Sequence, residues 1–227
     1  MLTSLTKLSQ AERATSPTID DYNKNLRAEI GLKPDDIFFL QPTRVIERKG
    51  IELSIELLQK LNDPRNKLVI THHAEYNSIR YLEELFALAA QAQVPLYYLP
   101  ARFKPIRQEG TGIHKIFSLW DAYIHADFVT YPSLYEGFGN ALVETLYFSK
   151  PILVNRYQVF KDDIEPTGIH AIKMNGSITP KVVGAVKDLL NDPTRKERFA
   201  EENVKIAQKH FSFQVAQSIL EHILESF

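Results

Sequence analysis

Short apolar runs separated by amphipathic stretches recur along this chain, and that alternation limits its fold more than any other feature. Ile37-Phe38-Phe39-Leu40, Lys67-Leu68-Val69-Ile70-Thr71, Leu96-Tyr97-Tyr98-Leu99, Phe128-Val129-Thr130-Tyr131 and Ile152-Leu153-Val154 are short and largely apolar. Strands buried on both faces have this pattern. Ile51 to Leu61 carries Leu53, Leu57, Leu58 and Leu61 as the stripe of an amphipathic helix. Further helices are expected over Ser78 to Gln91, Ile113 to His125 and Asn140 to Phe148. One more should run from Ile19 to Ile30, with Thr18 as N-cap and Gly31 as its stop. A last short strand is expected at His170 to Lys173, and helices at Thr179 to Leu190, Thr194 to His210 and Phe213 to Leu224 close the chain. Strands alternating with helices predict an α/β fold, a parallel sheet with helices on both faces. Right-handed crossovers then bring every strand's C-terminal end to one edge. Chemistry is therefore sought in the loops after Leu40, Thr71, Leu99, Tyr131 and Val154.

Composition removes several classes of function. Twenty-seven basic residues balance twenty-eight acidic ones, and the net charge of −1 argues against nucleic acid as a partner. The absence of cysteine excludes disulfides, thiolate metal sites and cysteine nucleophiles. His72 and His73 are adjacent on an extended segment, so their side chains point to opposite faces and no metal site is expected of them. Residues 1–18, rich in Ser and Thr, read as a weakly ordered lead-in without the apolar core of a secretory signal, and residues 19–227 as one domain. No run reaches the roughly 18 apolar residues of a membrane span. The expected setting is cytoplasmic.

Two segments at the predicted ligand edge carry the chemistry. The first leaves the Phe128 strand as Tyr131-Pro132-Ser133-Leu134-Tyr135-Glu136-Gly137-Phe138-Gly139-Asn140 and enters a helix that includes Glu144. Gly137 and Gly139 let a ligand approach the backbone, and the free N–H groups of the helix that follows favour an anion such as a diphosphate. If the stretch from Glu136 to Glu144 is largely helical, eight steps of ~1.5 Å place the two backbones ~12 Å apart. Hydrolytic carboxylate pairs lie about 5–9.5 Å apart, so this spacing suits hydroxyls at the two ends of one extended ligand better. A sugar nucleotide has that form. The second segment, Pro42 to Gly50, follows the first strand and carries Arg44 and Lys49, cations placed to neutralise a diphosphate.

These residues resemble the family-4 retaining glycosyltransferases of GT-B fold. That family has an Arg-to-Lys-Gly loop after the first strand of its C-terminal domain, here Arg44 with Lys49-Gly50. It also has a Pro-Ser-x-x-Glu-Gly-Phe-Gly segment with a second Glu eight positions on, here Pro132-Ser133 and Glu136 to Glu144. The resemblance covers roughly residues 20–215. It implies a Rossmann-like domain that binds a nucleoside-diphosphate sugar for retaining, metal-independent transfer to an acceptor hydroxyl, with no cofactor. Glu136, Arg44 and Lys49 take the catalytic places, with Glu136 on the sugar hydroxyls and the two cations on the diphosphate. Glu144 takes the ribose, with Gly137, Phe138, Gly139 and Asn140 close by. Arg102 and Phe103, in the loop after the third strand, take the base on topology alone. Thr43, Thr71-His72-His73 and Tyr147-Phe148-Ser149-Lys150-Pro151 depart from the family's glycine-containing runs.

GT-B enzymes face two such domains across a cleft, so the resemblance also implies an N-terminal acceptor domain, in cis or as a separate chain. The closing helix near Phe213 is then expected to expose an apolar patch for it. Two other readings use the same residues: a non-catalytic sugar-nucleotide subunit or sensor, and a GT-B epimerase or phosphorylase.

Overall fold

The computed structural model describes residues 18–108 and 114–212. The expectations for residues 1–17, for Ile113 and for the helix and apolar patch at 213–224 lie outside them. Six strands form one parallel sheet: β1 (Ile37–Gln41), β2 (Asn66–Ile70), β3 (Leu96–Tyr98), β6 (Phe128–Tyr131), β7 (Ile152–Asn155) and β8 (Ile172–Met174). Their order is β3-β2-β1-β6-β7-β8. A separate parallel pair is made by β4 (Phe103–Lys104) and β5 (Phe117–Ser118).

Consecutive strand residues enter different cores, which is why each strand is apolar throughout. Phe38, Leu40, Val69, Val129, Ile152 and Val154 face one core, which the helices α4 (Leu119–His125) and α5 (Asn140–Tyr147) cover. Phe39, Leu68, Ile70, Phe128 and Leu153 face the other, under α2 (Ile51–Leu61), α3 (Ile79–Gln91) and α6 (Pro180–Asn191). The long α7 (Pro193–Phe211) returns across the first core, where Ile206, Ala207 and Phe211 pack. This is the expected α/β sheet with helices on both faces. Among the described residues no helix is long and apolar enough to cross a membrane.

Two elements differ from expectation, each for a local reason. The helix expected over Ile19 to Ile30 shrinks to α1 (Leu26–Glu29). Asp20 Oδ1 accepts from the Tyr22 and Asn23 N–H groups, and Asn23 Oδ1 accepts from the Asp20 N–H. Those side chains capture the backbone that a longer helix needs. Gly31, at φ +85°, still ends the segment. Residues Phe117–Ser118 are a strand, and the helix starts at Leu119. Ser118 caps it with a capping box, its side chain accepting from Asp121 N–H while Asp121 accepts from Ser118 N–H.

Candidate functional site

The sheet order reverses between β1 and β6, which lie side by side in the registers Phe39 to Phe128 and Leu40 to Val129. The chain leaves β1 for α2 over one core and leaves β6 for α5 over the other. The loops 42–50 and 132–139 therefore start side by side at this point, in the crevice beyond the strand ends that is the usual ligand position in open α/β sheets. Gln41, the last residue of β1, is fully buried beneath these loops. Its Oε1 accepts from Ser54 Oγ at 2.9 Å and Thr130 Oγ1 at 2.8 Å, and its Nε2 donates to Thr43 Oγ1 at 2.9 Å. Thr43, which stands where the resembling family commonly has glycine, is buried and held by that amide.

The two loops grip one another. Residues Glu47–Lys49 form a tight turn ending at Gly50, whose φ of +59° is left-handed. A Cβ there would meet the Pro132 carbonyl oxygen at 2.7 Å, so this position requires glycine twice over. Leu134 N–H donates to the Arg48 carbonyl at 2.8 Å. The turn sends the heads of both Arg48 and Lys49 to one carboxylate. Glu136 accepts from Arg48 Nη1 at 2.9 Å and pairs directly with Lys49 Nζ. Arg48 lies over the Tyr135 ring at 5.5 Å and Lys49 over the Tyr131 ring at 5.7 Å.

Burial alone would raise the Glu136 carboxyl, but Lys49 and Arg48 outweigh it and hold Glu136 below the usual carboxylate range. Burial pushes the Lys49 amine down, and Glu136 opposes that only in part. Arg48 is the member of this cluster that sequence reasoning passes over. Its adjacency to Lys49 was visible, but only the tight turn makes it a partner of Glu136.

Beyond Glu136 the chain runs without regular structure to Gly139, and α5 begins at Asn140. Only the second half of the stretch to Glu144 is thus helical, and eight helical steps do not describe it. Gly139, at φ +94°, precedes the helix with no side chain to cap it, and a Cβ would lie 2.8 Å from Tyr131 Oη and 2.9 Å from Tyr157 Oη. A Cβ on exposed Gly137 would meet nothing within 4 Å. Gly139→Ala is therefore expected to lower stability by about 1–3 kcal/mol, while Gly137→Ala leaves the thermal midpoint within about 1 °C of the parent. Thermal denaturation of both variants checks the contrast.

Glu144 lies one turn inside α5, half-buried, and its Oε2 accepts from Tyr123 Oη at 3.0 Å. Burial raises its carboxyl, and the Tyr123 hydrogen bond offsets this only partly. A carboxylate that pairs with no cation among the described residues suits neutral hydroxyl donors.

The other sequence candidates divide. Asn140 opens α5 and is exposed. Phe138 packs edge-on against Phe211 at 5.3 Å, and its carbonyl accepts from Tyr157 Oη at 3.2 Å, tying the loop to α7. Arg44 pairs with Glu75 and not with Glu136, and is half-exposed. Phe103 is 3% exposed, inside the core beside Phe117. Arg102 donates to the Glu29 carbonyl at 2.9 Å and to its carboxylate at 3.2 Å. Arg107 is likewise held by Asp20 and Asp121, and Lys115 by the Tyr22 carbonyl at 3.0 Å. The basic cluster around Phe103 is thus a structural network.

Comparison with known proteins agrees with this architecture. Residues 111–206 match the family described as glycosyl transferases group 1. The chain is 32% identical to the mannosylglucosylglycerate synthase of Thermotoga maritima over 225 residues, which cover 89% of this chain and 52% of that protein. It thus spans about half the length of that relative. Among solved structures, Alr3699/HepE of Anabaena in complex with UDP and glucose superposes with a TM-score of 0.73 at 16% identity, over 91% of this chain and 52% of that one. The C-terminal domain of a group 1 family glycosyl transferase (LpcC) from Francisella tularensis gives 0.64 at 13% identity, over 87% of this chain and 96% of that one. At such identities the two likenesses establish fold. With the matching family domain and the 32% identical relative beside them, the chain carries a group 1 glycosyltransferase domain and has the Rossmann-like fold of the GT-B glycosyltransferases.

Proposed function

We propose that this chain binds a nucleoside-diphosphate sugar at the switch point and positions it for retaining transfer to an acceptor hydroxyl. The observation that carries the reading is the clamp of Arg48 and Lys49 about Glu136, set beside the Gly137–Gly139 approach to α5. As the bond between the anomeric carbon and the phosphate oxygen breaks, negative charge gathers on the departing diphosphate. Lys49 and Arg48, with Arg44 at the rim, supply the charge that stabilises it without recourse to a metal or cofactor. Glu136, ionised over the working range, accepts from sugar hydroxyls, and Glu144 from the ribose. The UDP and glucose held by HepE, a protein of the same fold, support a nucleotide-sugar ligand. The acceptor belongs to an N-terminal domain supplied in cis or by a separate chain. The name of the Thermotoga maritima relative makes a mannosyl donor and a glucosylglycerate acceptor the first pair to try.

Glu144 offers a test that separates function from packing. Its folded-state carboxyl is raised above 4.5, so its contribution to stability is greatest below that value and is lost as pH rises through the folded titration. Ionised Glu144 is therefore a cost to the fold at neutral pH. Glu144→Gln is expected to gain about 1 kcal/mol of stability and to weaken nucleotide-sugar binding about tenfold. Melting curves and calorimetric titration of the same samples measure both. A variant that is more stable and binds as the parent does would remove Glu144 from the ligand.

A further inference from the structure

The loop after β2 remains attached to the loop after β1 beyond the sheet itself. Val45 and Ala74 form an isolated parallel bridge, and Val45 N–H donates to the His73 carbonyl at 3.2 Å. Arg44 pairs with Glu75, and Ala74 N–H donates to Tyr98 Oη at 2.8 Å. This zipper brings His72 to the ligand edge next to the cations of the β1 loop. Its Nδ1 lies 3.0 Å from Thr71 Oγ1, which leaves Nε2 as the nitrogen for a ligand.

The imidazole is half-buried. Burial, then Lys49, Arg44 and His73, push it down to about 4, so it is neutral at physiological pH. The charges facing it explain why an uncharged ring stands there. Arg44, Arg48 and Lys49 are three positive charges against the two carboxylates Glu75 and Glu136, leaving one net positive charge. A diphosphate diester brings about two negative charges, and one added proton balances the site.

We propose that His72 is a further phosphate-contacting group of this site, donating to the diphosphate through Nε2 and taking up a proton as the anion settles between it and Lys49. The proposal rests on the nucleotide-sugar reading above. It makes His72 a proton-linked binding residue, so that donor affinity carries a pH dependence that a fixed cation in its place would not give.

The test is calorimetric titration of the 227-residue chain with UDP-glucose, GDP-mannose and ADP-glucose at pH 6 and pH 8. Buffers of different ionisation enthalpy report the protons taken up. The diphosphate diester of these probes does not titrate in that range, and Glu144 is common to parent and variant, so it cancels in their ratio. The parent is expected to take up close to one proton per bound ligand at pH 6. His72→Gln, which keeps an N–H donor but cannot be protonated, is expected to take up none. The affinity advantage of parent over His72→Gln is then expected to grow about three- to tenfold from pH 8 to pH 6. Equal proton uptake in parent and His72→Gln overturns the proposal and leaves the nucleotide-sugar reading in place, provided Lys49→Met still weakens binding. Failure of the folded parent to bind any of the three probes overturns both.

Discussion

Replacing Lys49 by Met is expected to weaken nucleotide-sugar binding about 100-fold while the chain still folds. Lys49 is only 8% exposed, so its stem packs between the two loops and its amine serves inside the crevice. Met keeps that stem and removes the charge. A hydrogen bond to a charged group contributes about 1.5–3 kcal/mol, which is roughly 10- to 150-fold in affinity. Loss of the amine also leaves Glu136 with Arg48 alone, and a half-neutralised carboxylate repels the incoming phosphates. Arg44→Ala is a control on the same loop. Arg44 is half-exposed and already paired with Glu75, so its loss is expected to cost about threefold. Calorimetric titration of both variants measures the contrast, and equal losses would mean that the crevice does not discriminate between them.

Asp121→Ala is expected to have the largest effect on stability, about 3–5 kcal/mol, because it removes the centre of a buried network. The Asp121 carboxylate is fully buried and accepts from Arg107 Nε at 2.9 Å, Asn23 Nδ2 at 2.8 Å, and both Ser118 N–H and Oγ at 2.8 Å. Burial works against its ionisation, and Arg107, Asn23 and Ser118 together hold it below 3.8 nonetheless. A depressed carboxyl contributes stability that is present above the unfolded value and lost as pH falls through the folded one. The parent chain should therefore lose part of its margin below about pH 4, and Asp121→Ala should lose less there. Urea denaturation at pH 7 and pH 4 reads both effects. The network ties Asp20, Asn23, Arg107 and Ser118 to α4, on elements other than the clamp. The folded fraction of Asp121→Ala should therefore bind nucleotide sugars as the parent does.

What was legible in the sequence follows from how each feature is encoded. Burial on two faces writes a strand as a short continuous apolar run, and β1, β2, β6 and β7 could be read directly from it. The segment from Ile19 to Ile30 misleads because Ile19, Tyr22, Leu26 and Ile30 keep a helical spacing. Its outcome is decided by Asp20 and Asn23, whose side chains bond the nearby backbone. The capping box of Ser118 and Asp121 was present as a motif and marks where α4 begins, six residues later than the apolar pattern suggests. At the site, the glycines and the acidic pair are local signals and were readable. Which of Arg44, Arg48 and Lys49 reaches Glu136 depends on a single tight turn, and sequence spacing says nothing of that. Phe103 was placed by topology, and its burial beside Phe117 comes from a two-residue strand pair too short to leave a pattern.

The most direct test of the switch-point site is amide chemical-shift mapping of the isotopically labelled chain during titration with UDP-, GDP- and ADP-sugars. Binding between the β1 and β6 loops predicts saturable shifts, with one of these donors, that centre on Lys49, Gly137, Gly139, Asn140 and Glu144. Their loss in Lys49→Met would tie them to the diphosphate. Shifts confined to other surfaces, or a folded spectrum unmoved by every donor, would contradict the assignment of this crevice as the donor site.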